Sequence, residues 1–214
     1  LTAQGHPWRL VALDEGEPVP EDPEAFAGIG MMGGPMGAND PTPWRDPLAV
    51  LLRRAVDARV PVIGHCLGGQ ILSRALGGVV TKADVVEIGW IDVEATDRGA
   101  AREWFGGRER MNVFEWHYDA FTIPPGARRV LANAYNANQA YVLDDRHVGF
   151  QCHVEMTSEL VTAWCAMAPG ELPETSTPAR QSRDEILRDL DARVESSLLG
   201  REVHYMEWGA PGAP

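Results

Sequence analysis

Lysine is almost missing from this chain. Lys82 stands alone among 214 residues, and the excess of acidic side chains leaves a net charge of −12. Binding to nucleic acid or to an anionic membrane rests on clustered Lys and Arg, so neither is an expected partner. No apolar run approaches the ~18 residues that a membrane-spanning helix needs, and no charged start leads into an apolar secretion core. Cysteine is scarce as well. Cys66, Cys152 and Cys165 form an odd set without a spacing framework, which argues against a disulfide scaffold and for a reducing, cytoplasmic setting where a thiol stays free. No group of His, Cys and carboxylates has metal-ligand spacing. The glycine-rich stretch from Gly28 to Gly37 matches neither G-x-x-x-x-G-K-[ST] nor G-x-G-x-x-G. Neither a metal nor another cofactor is expected.

What is present suits one well-buried globular domain, with 44% apolar and 23% charged residues. Short apolar runs alternate with helical patterns, which predicts an α/β fold with a mostly parallel open sheet flanked by helices. Strands are expected at Trp8 to Leu13, Ala27 to Met32, the run into Gly64, Val85 to Ala95, Val113 to His117, Arg128 to Ala134, Gln139 to Leu143 and His147 to Cys152. Asp46-Pro47 reads as a helix start with aspartate as cap, and Leu48, Leu51, Leu52, Ala55 and Val56 give that helix its apolar stripe. Thr157 is expected to cap a helix reaching about Ala168. Residues 1–169 are assigned to the main domain. Within 170–214 the sequence predicts a Pro/Glu/Thr linker and an amphipathic helix over about 183–199, which packs on the same domain. That helix opens on the capping box Ser182-Arg183-Asp184-Glu185, and a flexible tail covers Gly209 to Pro214.

The chemistry is written most clearly in Val60-Pro61-Val62-Ile63-Gly64-His65-Cys66-Leu67-Gly68-Gly69-Gln70. A strand-like run meets a cysteine hemmed in by small residues, and a helical pattern follows at once. Such a strand–turn–helix elbow lifts one side chain into the open, and its glycines let backbone and substrate approach. The helix start points unpaired N–H groups at the same spot, which favours an anionic sulfur. A base is available in Cys152-His153-Val154-Glu155, just past another strand-like run. Two residues apart, His153 and Glu155 can face the same way. The imidazole can take a thiol proton and return it to a leaving amine, while the carboxylate holds the ring in one tautomer.

GHCLGGQ resembles the G-x-C-x-G-x-Q elbow of the class I, or triad, glutamine amidotransferases, and CHVE resembles their H-P-E segment with Val154 in the proline's place. Met31-Met32-Gly33-Gly34-Pro35-Met36 resembles the G-G-P loop of the glutaminase domain of guanosine monophosphate synthetase and its stand-alone relatives. Glu87-Ile88-Gly89-Trp90 and Trp116-His117-Tyr118-Asp119 fall where those relatives carry similar segments. The resemblance implies a flavodoxin-like sheet and hydrolysis of the side-chain amide of L-glutamine, or of another γ-glutamyl amide. It implies Cys66 as nucleophile, His153 as general base and acid, and Glu155 as the orienting acid. The backbone N–H groups of Gly34 and Leu67 would form the oxyanion hole, and Gly33 and Gln70 would border the substrate. The ammonia would pass to a separate synthetase subunit. Two alternative readings are a γ-glutamyl peptide hydrolase using the same triad, and a non-catalytic protein with a regulatory or binding role. The family begins with a strand and helix for which there is no room before Trp8, so an amino-terminal segment is expected to be missing from the chain.

Overall fold

The computed structural model describes residue 5 and residues 7–198; the expected tail at Gly209 to Pro214 lies outside them. Seven strands form one sheet in the order β1-β2-β7-β6-β5-β3-β4. In chain order these are β1 (Ile29–Met31), β2 (Val62–His65), β3 (Val80–Ala95), β4 (Arg110–Phe121), β5 (Arg128–Ala132), β6 (Ala140–Leu143) and β7 (His147–Phe150). Helices α1 (Arg45–Asp57), α2 (Leu67–Ala75), α3 (Arg98–Trp104), α4 (Ser158–Met167), α5 (Arg183–Leu187) and α6 (Leu190–Leu198) flank it.

The expected open α/β sheet is present, but it is mixed rather than mostly parallel. β1, β2 and β7 run parallel, while every pairing among β3 to β7 is antiparallel. The division follows from connection length. Parallel neighbours need long crossovers, here through α1 and through everything between β2 and β7, whereas β5, β6 and β7 are joined by short turns.

Trp8 to Leu13 is not a strand. It pairs with no strand among the described residues: Leu13 packs against the core, while Trp8 and Leu10 are left 59% and 69% exposed. The cap of α1 also differs from expectation. Asp46 sits inside the first turn and Trp44 holds the cap position without a side-chain bond. Thr157 does cap α4, accepting from the Leu160 N–H. Ser182 caps α5 through the Glu185 N–H. The single helix expected over 183–199 is broken, because Asp189 turns into the left-handed region at φ 51° and separates α5 from α6. Both pieces lie on the β3–β4 side, where Ile186 and Val194 are buried with Ile88, Trp90 and Phe114. Residues 179–181 add to β3 like a short extra strand, through Ile88 N–H to Ala179 O at 2.9 Å and Gln181 N–H to Ile88 O at 2.8 Å.

Close backbone contact places α2. A Cβ on Gly68 would fall 2.5 Å from the Met31 carbonyl oxygen, and one on Gly69 would fall 2.3 Å from that of Phe150. The helix therefore starts wedged against β1 and β7, and no side chain fits at either position.

Candidate active site

Cys66 sits between the end of β2 and the start of α2 with φ 50° and ψ −109°. A non-glycine residue held at positive φ is uncommon, and such strain tends to concentrate at functional sites. The strain is held in place from both sides. The Cys66 N–H bonds the Phe150 carbonyl of β7 at 2.9 Å, and its own carbonyl accepts the Gln70 N–H at 2.9 Å.

The parallel pairing of β2 with β7 sets His65 opposite Phe150. The chain leaving β7 therefore passes beside the elbow. Three residues on, His153 exchanges backbone hydrogen bonds with Phe114 of β4 (2.8 and 3.3 Å), which fixes its place across the site. His153 Nδ1 lies 2.6 Å from Glu155 Oε1. A Cβ added to Gly33 would fall 3.1 Å from His153 Cε1 and 3.6 Å from Cys66 Cβ, so both side chains converge on that glycine. Gly34 packs against Leu67, where an added Cβ would be 3.3 Å from Cδ2. The structure thus brings Cys66, His153, Glu155, Gly33, Gly34 and Leu67 together. Gln70 differs. Its side chain is buried, and its Nε2 group donates to the Asp119 carbonyl (3.0 Å) and to Gln151 Oε1 (3.2 Å). Gln151 in turn points its Nε2 at the Cys66 sulfur, 3.7 Å away.

Burial alone would drive the His153 ring toward neutrality. The Glu155 carboxylate and the Cys66 sulfur outweigh it and hold the imidazole well above its ordinary range. Glu155 has the opposite balance. Burial opposes its charge, but His153 and His65 overcome that and hold its carboxyl below the usual carboxylate range. His65 is the residue whose part sequence reasoning missed. Its Nδ1 lies 3.1 Å from Glu155 Oε2, and its ring stacks on Phe150 at 5.5 Å. The two carboxylate oxygens of Glu155 thus face different imidazoles, Oε1 bonded to His153 and Oε2 within ion-pair distance of His65.

A stability consequence follows. The folded pKa of Glu155 is depressed, so its pairing contributes stability above the unfolded value and fades as pH falls. That of His153 is raised, so its contribution is full below the unfolded value and fades as pH rises through the folded one. Glu155→Gln should therefore melt below wild type by the equivalent of about 2 kcal/mol, with the gap widest between roughly pH 5 and 6.5. A thermal melt series across pH checks this. A gap independent of pH would contradict it.

A second polar cluster lies behind the first. Positions 115 and 117 share one face of β4, and β3 sets Glu87 opposite His117. Glu87, Glu115 and His117 are essentially fully buried, and their ligand atoms all lie within 4.8 Å of one another. That is close enough for one cation, although the sequence shows no such spacing. Burial, and then the neighbouring Glu87, push the Glu115 carboxyl well above its ordinary value; His153 acts against them and Cys66 adds to them. Cys152 is buried too, and burial together with Glu115 and Glu155 pushes its thiol up.

A buried sulfur at a strained helix start, beside an imidazole paired with a carboxylate, is the arrangement that cysteine-type acyl transfer requires. Similarity to known proteins gives the particular family. The model of the class-I glutamine amidotransferase family matches residues 4–163, and the chain belongs to that family. A glutamine amidotransferase-like protein of Salmonella typhimurium is 32% identical over 168 residues, covering 74% of this chain and 69% of that protein. The glutamine-hydrolysing GMP synthase of Sulfurisphaera tokodaii has a subunit that is 40% identical over 98 residues, covering 45% of this chain and 51% of its own length. The chain therefore spans about half the length of that relative. A solved glutamine amidotransferase from Methylobacillus flagellatus shares 45% identity with a TM-score of 0.93, covering 97% of this chain and 85% of that one. Among the described residues no helix is long and apolar enough to cross a membrane.

Proposed function

We propose that the chain hydrolyses the side-chain amide of glutamine through a γ-glutamyl thioester on Cys66 and releases glutamate and ammonia. The observation that carries this reading is the convergence of Cys66, at its strained helix start, with the His153–Glu155 pair on Gly33. The Cys66 sulfur attacks the amide carbon and His153 Nε2 takes the thiol proton. The carbonyl oxygen becomes an oxyanion, which the N–H groups of Gly34 and Leu67 stabilise. Leu67 opens α2, and the first N–H groups of a helix have no partner within it. Collapse of this intermediate breaks the C–N bond, with His153 returning its proton to the departing nitrogen. Water activated by the same ring then cleaves the thioester. Glu155 fixes the tautomer throughout. Gln70 serves as a positioning residue, holding Gln151 against the sulfur and tying the elbow to the Asp119 carbonyl. A thiol that must stay free suits a reducing cytoplasm.

The named activity of the archaeal GMP synthase subunits supports a further step, delivery of the ammonia to a separate synthetase subunit. The test is a side-by-side assay of purified protein on glutamine and on a γ-glutamyl dipeptide. Release of glutamate and ammonia from glutamine, with the dipeptide cleaved poorly, is the expected result. Fast dipeptide cleavage with negligible glutaminase would replace this reading with a γ-glutamyl peptide hydrolase. Gly34→Val should lose turnover by roughly 10²–10³-fold with a smaller change in KM, because the N–H matters most once charge develops. Normal turnover in a folded Gly34→Val protein would place the oxyanion hole elsewhere.

A further inference from the structure

Donors are distributed very unevenly in the cluster behind the active site. Glu87 accepts three side-chain hydrogen bonds, from Asn133, from Gln139 Nε2 at 2.9 Å and from His117 Nε2 at 3.0 Å. Glu115, equally buried, accepts none at either oxygen, and His117 Nε2 lies 3.5 Å away, beyond bonding distance to it while bonded to Glu87. His117 has no further N–H to offer, because its Nδ1 faces the Asp119 carbonyl at 3.0 Å and a carbonyl can only accept. Gln139 Oε1 is a further buried acceptor without a donor, on a side chain that its Nε2 ties to the same Glu87. Leaving buried acceptors unserved is destabilising, because each has lost its water without gaining a donor. What would satisfy them is a small species that only donates.

Such a species arises next door. Glu115 sits between Phe114, which is bonded through its backbone to His153, and Trp116, whose carbonyl lies 3.8 Å from the Cys66 sulfur. Gln139 is bonded through its carbonyl to the N–H of Gln151, the residue that reaches the same sulfur. We propose that Glu115 and Gln139 Oε1 form the acceptor side of a binding site for ammonium, the nitrogen product formed at Cys66; this inference rests on the glutaminase reading above. Ammonia leaves the tetrahedral intermediate neutral. Taking a proton from water turns it into ammonium and leaves hydroxide, and the ammonium then pairs with the Glu115 carboxylate. The lone pair that could attack the thioester and reverse the reaction is then occupied. A divalent metal suits the place less well, since Glu87 is already committed to three donors and hard cations ask for six or more oxygen ligands. Asn133, which donates to Glu87, also lines an open cleft of about 830 Å³ together with Asp92 and Glu94.

The experiment is a set of thermal melts of the full chain in ammonium, methylammonium, tetramethylammonium, sodium and magnesium chlorides at matched ionic strength. Wild type and Glu115→Gln are run together, with glutaminase activity measured separately. Ammonium should raise Tm above sodium and saturate, methylammonium should do so only at higher concentration, and tetramethylammonium should match sodium. In Glu115→Gln the half-saturating ammonium concentration should rise at least roughly tenfold. Identical ammonium and sodium curves for wild type would overturn the site, as would an ammonium response unchanged in the variant. A larger response to magnesium would also overturn it, in favour of a metal site. If Glu115→Gln does not fold, the ion series on wild type decides. An ammonium-specific response in a chain without turnover keeps the site and removes the reaction. Turnover without that response does the reverse.

Discussion

Cys66→Ala should abolish glutamine hydrolysis, with turnover falling by roughly 10⁶-fold, as expected when the nucleophile of a concerted catalytic set is removed. The fold should survive the change. Cys66 is held by backbone bonds to Phe150 and Gln70, and the contacts of its sulfur to Trp116 O at 3.8 Å and Gln151 Nε2 at 3.7 Å are long. The φ of 50° also costs alanine little more than it costs cysteine. Cys152 and Cys165 cannot take over. Both are fully shielded from solvent, and burial pushes each thiol up, away from the reactive thiolate. Steady-state ammonia release by wild type and variant, with melting curves to verify folding, measures the effect. Residual activity within tenfold of wild type would dismiss the cysteine mechanism.

His153→Ala should lose about 10²–10⁴-fold in kcat, the usual worth of a positioned general acid–base group. The loss should depend on pH. An unassisted thiol ionises near pH ~8.5, so attack by the variant should recover partly in alkali, while protonation of the leaving nitrogen stays unassisted. The deficit should therefore narrow above pH 8 without closing. Glu155→Gln keeps a group that can still hold the ring and should lose less than His153→Ala. Near-normal kcat in His153→Ala would require another base. His65 cannot easily supply it, because its Nδ1 faces Glu155, and His117 is enclosed by Glu87 and Glu115.

The parts of this site that are legible in the sequence are those built from neighbours in the chain. The elbow announces itself because the strand, the cysteine, the glycines and the helix are consecutive. His153 and Glu155 are legible because two-residue spacing alone puts them on one side. The approach of His65 to Glu155 depends on β2 lying beside β7, a pairing between residues some eighty-five positions apart, and no local pattern reports it. The same holds for Glu87 and His117, which meet only through the register of β3 against β4. Trp8 to Leu13 shows the converse error. Its pattern suits a strand, but a strand exists only where a partner is available, and here Trp8 and Leu10 stay exposed. The break between α5 and α6 comes from one left-handed residue, Asp189, at a place where apolar periodicity runs on without interruption. The bonds of the Gln70 amide to Asp119 and Gln151 likewise join residues far apart in the chain, which no local pattern reports.

Covalent trapping tests the mechanism most directly. A glutamine analogue with an electrophilic side chain, incubated with the wild-type chain and followed by intact and peptide mass spectrometry, should add one adduct per molecule. The adduct should map to the peptide containing Cys66, and glutamine should protect against it. Cys66→Ala should stay unmodified. An adduct on Cys152 or Cys165, or labelling that persists in Cys66→Ala, would contradict a thioester at the elbow.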